Sequence, residues 1–261
     1  GKSAGYTSKV LKTGQTTQRN SELDDGYYEV GVAKSYTVNT TGAQSGTTNV
    51  DVPFIEADTT ISFDSASKEI RGTGLMTPFD AAMTIVVSGA SNAGNNGVFT
   101  ATVNGTADKI VVVEALTDES AGNAITIKKR TSVSNNTVLD NNTGLMWTRY
   151  KFSVGATKAY IPWTGKPYDV FAHCAAANAA SLGGYTDWRI PNVYELSSIF
   201  VNFKSAYPDS TAFPSYGNVD SWTSTTCIRE PTNAFHISSR FGNVSEGAKT
   251  NEGGYYCPVL V

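Results

Sequence analysis

Residues 183–192 read Gly-Gly-Tyr-Thr-Asp-Trp-Arg-Ile-Pro-Asn, and this stretch constrains the local fold strongly. Its two leading glycines supply the left-handed backbone conformation that closes a helix. Asn192 is a good N-cap, and Glu195 three positions later completes a capping-box pattern. The pattern predicts a rigid corner between two helices. Within it, Trp188 is expected in the core and Arg189 is expected to pair with a nearby acid or carbonyl.

Two helices are predicted on either side of this corner. Small and apolar residues recur at three- and four-residue steps over residues 168–182, as on one face of an amphipathic helix. A second helix begins at the Asn192 cap. Its predicted buried stripe consists of Leu196, Ile199, Phe200 and Phe203.

Residues 53–130 read instead as a compact β unit. Short runs alternate between apolar and polar residues, as half-buried strands do. Strands are predicted at residues 60–64, 68–72, 83–88, 98–103, 109–113 and 124–128, with Asn96-Gly97 as a hairpin turn. Such short strands with regular turns predict a small sandwich that serves as a spacer or carrier. Further strands are predicted at residues 27–32 and 35–38.

The charge pattern excludes several classes of partner. The net charge is −3 over 261 residues, with acids and bases interspersed, so no nucleic-acid footprint is expected. No apolar run approaches the roughly 20 residues that cross a bilayer, so membrane insertion is not expected. Nor does an apolar segment of the signal-peptide type follow Gly1.

Cysteine and histidine usage argues against metal or redox chemistry. The three cysteines are far apart in sequence, and the two histidines, His173 and His236, have no recognisable ligand spacing. No metal site is therefore predicted. Glu195 is explained as a helix cap, and Ser and Asp are too common for a Ser-His-Asp triad to be inferred. No catalytic residue is assigned.

Several segments together resemble the Lcl C-terminal-like domain family. This family is named for the C-terminal domain of a bacterial collagen-like adhesin and also occurs in phage tail proteins. The resemblance is carried by residues 138–147, by the 183–192 corner with Glu195-Leu196, by residues 222–226 and by the closing residues 242–259. Residues 12–17, 24–26 and 32–37 resemble the segment that often opens such proteins. The β unit between them is similar to small Ig-like repeats of phage virion proteins.

The resemblance implies an α+β C-type-lectin-like domain with an inserted all-β, Ig-like sandwich domain. Residues 1–52 would belong to the lectin-like domain, residues 53–130 would form the insert, and residues 136–261 would complete the lectin-like domain. Structural roles are expected for Trp147, Trp188, Arg189, Asn192 and Trp222. Cys174 and Cys257 would then be neighbours, which fits either a disulfide or two buried free thiols.

Phage tropism proteins that share the lectin-like scaffold bind receptors through a hypervariable surface near the C-terminus, which corresponds here to about residues 226–255. The resemblance therefore implies a non-enzymatic, receptor-binding protein of the virion, in the phage tail. Its ligand would be a host-surface glycan or protein, and a diversity-generating retroelement rewrites this surface in some relatives. Tyr, Arg, Asn and Phe are typical of adaptable binding faces. The candidate ligand-binding residues are Arg229, Glu230, Asn233, Phe235, His236, Arg240, Asn243, Glu246, Asn251, Glu252 and Tyr255.

Alternatives to this interpretation remain open. A bacterial surface adhesin with the same domain would place the protein on the cell surface or outside the cell. An oxidase like the formylglycine-generating enzymes, which share the lectin-like scaffold, is disfavoured because Cys227 has no cysteine nearby in sequence. No cofactor is expected, although a structural calcium is compatible with the family. Other virion proteins are expected partners, and a homotrimer follows by analogy with fibre tips.

Overall fold

The computed structural model describes residues 33–75, 83–102, 108–151, 161–200, 208–216, 220–238 and 243–251. Within these ranges, the strands form three antiparallel sheets and only two short α-helices are present. The predicted α+β C-type-lectin-like fold with an inserted Ig-like sandwich is therefore wrong. The described part of the chain is a β-rich fold in which the helices are minor elements.

The largest sheet contains seven strands, in the order β2-β8-β5-β6-β7-β4-β3. Their bounds are β2 Thr47–Asp58, β3 Ser62–Asp64, β4 Glu69–Arg71, β5 Met83–Ser88, β6 Gly97–Thr102, β7 Lys109–Val112 and β8 Ile125–Ser134. Strand β8 pairs along both of its edges, with β2 and with β5. This double pairing joins β2 to the remaining strands, so all seven form one hydrogen-bonded sheet, where the sequence predicted two sheets packed face to face.

One face of the seven-stranded sheet is buried. Alternate residues of its strands point to the same side, as the two-residue period of a strand requires. They meet in a single core that includes Ile85, Phe99, Ile110 and Ile127. That core also contains Phe63 from the last strand of the sheet, so residues of both the central strands and one edge strand share it.

The β2–β8 pair links this sheet to the rest of the molecule. Its register runs from Thr47↔Ser134 to Asp58↔Ile125 and crosses the predicted domain limits at 52/53 and 130/136. Phe54 of β2 enters the core of the seven-stranded sheet, whereas Val50, earlier on the same strand, enters a second core with the first helix. Two cores are therefore tied together by one continuous pair of strands.

A three-stranded sheet, in the order β1-β9-β10, brings distant parts of the chain together. Its strands are β1 Tyr36–Asn39, β9 Thr137–Asp140 and β10 Met146–Thr148. Strand β1 pairs with β9 from Tyr36↔Asp140 to Asn39↔Thr137. Val138 and Trp147 of this sheet are fully buried in a third core, which also holds Leu196.

The two helices lie on either side of the 183–192 corner. Helix α1, Val170–Ala179, starts at the N-cap Asp169, whose carboxylate accepts hydrogen bonds from Phe171 N and Ala172 N. Helix α2, Val193–Ile199, has the predicted capping box between Asn192 and Glu195. Both helices are shorter than the sequence predicted. Helix α1 is followed by Ser181, whose φ of 51° leaves the helical region, and α2 ends because the next residue is extended.

A third sheet, in the order β11-β12-β13, lies near the end of the chain. Its strands are β11 Ser221–Thr226, β12 Asn233–Ile237 and β13 Val244–Ala248. Helix α2 contacts both β11 and β12. A register shift interrupts β11 between Trp222 and Thr226, and Trp222 is fully buried in the second core.

Most of the strands predicted from the sequence are present. The predictions at 35–38, 60–64, 68–72, 83–88, 98–103, 109–113 and 124–128 correspond to β1, β3, β4, β5, β6, β7 and the start of β8. The strand predicted at 27–32 and the helical position Phe203 lie outside the described residues.

Candidate functional site

The corner at residues 183–192 is fixed by buried hydrogen bonds. Trp188 N donates to Asn178 Oδ1 at 2.7 Å, and Asn178 Nδ2 donates to Trp188 O at 2.8 Å. The indole Nε1 of Trp188 donates to Leu182 O at 2.9 Å. Trp188 is only 5% exposed, so its indole is part of the core. These bonds tie the corner to α1 and leave the Trp188 ring little surface for a ligand.

The charges of the corner are paired with each other. Arg189 donates from both terminal nitrogens to the Glu195 carboxylate, at 2.8 and 2.7 Å. Glu195 also accepts Asn192 N at 2.8 Å, which completes the capping box. The Arg189 guanidinium lowers the pKa of Glu195, and Glu195 raises the pKa of Arg189. The structure therefore places Arg189 and Asn192 in a supporting arrangement around the start of α2.

This corner holds the last sheet in place. Ser224 N of β11 donates to Pro191 O at 2.8 Å, and Val193 N at the start of α2 donates to Thr225 Oγ1 at 3.1 Å. The N-terminus of α2, with the neighbouring Tyr194, is thereby fixed beside the end of β11. The chain then enters the loop at residues 227–232, so a rigid frame supports that loop.

The surface beyond β11 carries the largest exposed apolar side chains of this region. We call the surface formed by residues 227–235, residues 243–251 and Tyr194 the loop face. Ile228 is 93% exposed and Tyr194 is 85% exposed. Val244, on the neighbouring β13, is 47% exposed. Exposed apolar side chains grouped on one surface are typical of interaction sites.

The loop at 227–232 is ordered by its own hydrogen bonds. Asn233 N donates to Glu230 O at 2.8 Å, and Cys227 N donates to Asn233 O at 3.0 Å. Thr232 Oγ1 donates to a carboxylate oxygen of Glu230 at 2.6 Å. Ile228 and Arg229 are therefore carried on a closed turn between β11 and β12.

The predicted ligand-binding residues occupy three kinds of position. Exposed positions hold Arg229, Glu230, Asn243 and Glu246, and partly buried positions hold Asn233, Phe235 and Asn251. Phe235 and Glu246 lie directly opposite each other on β12 and β13. Arg240, Glu252 and Tyr255 lie outside the described residues. The structure thus brings the described members together on one sheet and its adjoining loop, and one of them is buried.

The buried member is His236, which is only 2% exposed. Its ring packs edge-on against Trp222, with 5.6 Å between the ring centroids, and its Nδ1 lies 3.6 Å from an Asp220 carboxylate oxygen. Burial lowers the pKa of His236. The His236 side chain therefore packs on the buried face of the sheet. A residue so deeply buried does not contact a ligand, which corrects the prediction for His236.

Two cysteines are buried with free thiols in the described structure. Cys174 Sγ donates to Trp188 O at 3.0 Å, and burial raises the pKa of this thiol to about 11. Cys227 Sγ donates to Glu246 Oε2 at 2.7 Å and so connects the loop to β13. Cys257 lies outside the described residues, and the free thiol of Cys174 gives no support to the predicted bridge between them.

Some residues of this region were missed by the sequence reasoning. Tyr194 lies off the buried stripe of α2, and Ile228 is a lone large apolar residue in a polar loop. An exposed aromatic at a solvent-facing helical position and an isolated apolar loop residue are signals that could have identified both. Lys249 was also missed. Its Nζ lies 4.3 Å from the ring centroid of Trp163, a cation–π contact made by a residue of the loop face.

The described residues contain neither a metal-ligand cluster nor a membrane-spanning helix. Among the described residues, no group of three or more His, Cys, Asp or Glu side chains is placed to hold a metal ion. A structural calcium remains a prediction. In the same part of the chain, no helix combines the length and the apolar character that crossing a bilayer requires.

Comparisons with known proteins support the family resemblance for the C-terminal half. The family model of the Lcl C-terminal domain matches residues 136–259, which include the corner and the loop face. No curated protein matches the chain. Among solved structures, the chain is similar to the Phage phi92 endosialidase at 13% identity and a TM-score of 0.22. That similarity covers 44% of this chain and 17% of the endosialidase chain, and it is too weak to show a shared fold.

Proposed function

We propose that the chain is a non-enzymatic receptor-binding protein of a phage tail and that the loop face is its binding surface. The observation that carries this proposal is the high exposure of Ile228, next to Arg229 on a closed turn, and of Tyr194, at the start of the helix that is hydrogen-bonded to β11. Tyr and Arg are enriched among the residues that dominate binding energy at protein interfaces. The family match over residues 136–259 supports the same proposal.

The frame would contribute to affinity by limiting the ordering that binding requires. The hydrogen bonds of the corner fix α2 against β11, and the closed turn at 227–232 fixes the backbone around Ile228. A surface that is already ordered loses less conformational entropy on binding. The proposed ligand is a host-surface glycan or protein, contacted by the Ile228 and Tyr194 side chains and oriented by Arg229, Glu230 and Glu246.

Binding to host cells tests this proposal. Fluorescently labelled protein is titrated onto cells of candidate host strains and onto a glycan array, with wild type compared with Ile228→Asp. Placing a carboxylate at this exposed position should weaken binding at least about tenfold, which corresponds to about 1.4 kcal/mol, without unfolding the protein. Arg229→Ala should also weaken binding.

The matched control is Val113→Asp. Val113 is 53% exposed but follows β7 of the seven-stranded sheet, away from the loop face in the fold. This variant should bind as wild type does. If Ile228→Asp and Arg229→Ala both retain full binding in a folded protein, the loop face is not the receptor-binding surface.

A bacterial surface adhesin is the second candidate. The same loop face would serve it, and the match to the Lcl C-terminal domain is equally compatible with it. An adhesin should bind surfaces foreign to the cell that makes it, whereas a tail protein should bind bacterial cells of the host range. Attachment to other virion proteins, a trimeric state and diversification of residues 226–255 belong to the phage proposal and stay predictions.

A further inference from the structure

A cavity of about 390 Å³ lies where the seven-stranded sheet meets the segment before α1. It is lined by Phe54, Ile55, Glu56, Asp58, Gly74, Lys166, Pro167 and Tyr168. None of these residues belongs to the loop face. Its volume falls within the range of small-molecule sites, which are concave and combine apolar walls with a few polar groups.

Strand β2 departs from regular geometry beside this cavity. Its register with β8 shifts between Pro53 and Ile55 and again between Ile55 and Asp58. Ala57, between the two carboxylates, has a φ of 50°, which is unusual for a residue with a side chain. Bulges redirect side chains and are over-represented near functional sites, and strained backbone positions also cluster there. Glu56 and Asp58, on either side of this position, both line the cavity.

The walls of the cavity combine an aromatic pair with charged groups. The rings of Phe54 and Tyr168 stack with centroids 4.9 Å apart and planes 19° from parallel. Asp58 is held in place, because its Oδ1 accepts both the N and the Oγ1 of Thr60, at 2.7 and 2.8 Å. The charged side chains that line the cavity are one ammonium, of Lys166, and two carboxylates, of Glu56 and Asp58.

We propose that this seam cavity binds a neutral saccharide unit. The apolar face of a pyranose ring would pack on the part of the aromatic pair that lines the cavity. Its hydroxyl groups would donate to Glu56 and Asp58 and accept from Lys166, since ionised carboxylates are acceptors only and an ammonium is a donor only. Two carboxylates against one ammonium disfavour an acidic sugar. This inference is independent of the loop face and of the proposed function.

The test uses the full-length chain and a panel of monosaccharides. Glucose, galactose, N-acetylglucosamine and glucuronate are titrated while amide chemical shifts are followed by NMR. At least one neutral sugar should shift the amides of Glu56, Asp58 and Tyr168, with a Kd on the order of 1 mM, as expected for so small a ligand. Glucuronate should bind more weakly than the neutral sugar.

Charge-neutral variants sharpen the assignment. Glu56→Gln combined with Asp58→Asn should lower the affinity for the neutral sugar at least tenfold. Glu230→Gln on the loop face should leave that affinity unchanged. If the double variant does not fold, Glu56→Gln alone provides the same comparison, because Glu56 is exposed.

Three results would overturn the inference: no sugar shifts the cavity amides, glucuronate binds as well as the neutral sugars, or the sugar shifts map only to residues 227–251. The last result would support the proposed function while removing the seam cavity as a sugar site. If Ile228→Asp loses receptor binding but keeps sugar binding at the cavity, the seam cavity and the loop face are two independent binding sites.

Discussion

A single carboxylate, that of Glu195, connects three parts of the corner. It caps the N-terminus of α2 through Asn192 N and holds both terminal nitrogens of Arg189. Because α2 is hydrogen-bonded to β11, removing the Glu195 carboxylate is expected to loosen the elements that hold the loop face. Its contribution has two separable parts, the helix cap and the ion pair.

Replacing Glu195 with Gln and with Ala should separate these parts. Gln retains a capping-box side chain but loses the ion pair, which should reduce stability at pH 7 by about 0.5 kcal/mol because Arg189 is half exposed. Ala loses the cap as well and should reduce stability by about 1 kcal/mol more. Urea unfolding of both variants measures the difference, with the exposed Asp187→Asn as control. Equal losses in Gln and Ala would mean that the cap contributes nothing.

The pH dependence of the Gln variant follows from the lowered pKa of Glu195. A carboxyl group with a lower pKa in the folded state adds stability above its unfolded pKa, and that stability is lost as pH falls through the folded pKa. The gap between wild type and Glu195→Gln should therefore be largest at neutral pH and should shrink below about pH 4.5. A gap that stays constant down to pH 3 would contradict the ion-pair explanation.

At the residue scale, sequence reasoning predicted backbone caps better than surface contacts. The roles of Asn192 and Glu195 depend on neighbours within three positions, so a local pattern was sufficient. His236 was misassigned although Phe235 and His236 must point to opposite faces of a strand. Which of the two faces is covered depends on Trp222 and the rest of the sheet, and a local pattern does not contain that information.

The short turn after α1 leaves no room for a side chain at one of its glycines. Gly183 has a φ of 61°, and a Cβ built there would lie 2.9 Å from Asn135 O. Asn135 follows β8 directly, so this contact joins the corner to the β2–β8 pair. Backbone conformation and lack of space both require glycine at this position.

The variant Gly183→Ala should therefore be much more destabilising than Gly144→Ala. Gly144 also has a positive φ, 76°, but a Cβ there would have no neighbour within 4 Å. The conformational penalty, roughly 1–2 kcal/mol, is common to both positions, and only Gly183 adds a backbone clash. Thermal or urea unfolding of the two variants measures the difference. Similar losses at both positions would show that Asn135 moves aside freely.

At the element scale, strand existence was predictable but sheet assembly was not. The run Met83–Ser88 is rich in β-branched residues and was located at its observed bounds. Strand β2 extends over Thr47–Asp58, where the sequence predicted a domain limit, because its length is set by pairing with β8 about 80 residues later. The residues that decide between one continuous sheet and two packed sheets are therefore far apart in sequence.

For the molecule as a whole, stability depends on buried titratable groups at the junction of its cores. His173 lies on α1 and is 1% exposed, with Nδ1 2.9 Å from Asp169 O. Burial, with a smaller contribution from Lys129, lowers its pKa to about 4. The folded protein therefore keeps this imidazole neutral at pH values where the unfolded chain would protonate it.

Stability should consequently fall on acidification. His173 contributes fully above its ordinary pKa of 6.5, and its contribution is lost as pH falls from 6.5 towards 4, by up to about 3 kcal/mol. Unfolding free energies at pH 7, 6, 5 and 4 should show a steeper decline for wild type than for His173→Gln. The variant should retain part of the slope, since the pKa of His236 is also lowered. Parallel pH profiles would show that His173 is not the group responsible.

The pairing of β1 with β9 has a consequence for biosynthesis. On the ribosome, Tyr36–Asn39 is synthesised about 100 residues before its partner Thr137–Asp140. The start of β2 is likewise synthesised long before the end of β8, with which it pairs. At roughly 5–20 residues per second, the nascent chain carries these unpaired strands for about 5–20 s. Non-local pairing of this kind slows folding, and exposed strand edges favour aggregation. We expect slower translation or lower temperature to alter the soluble yield of this protein more than that of one whose strands pair in sequence order.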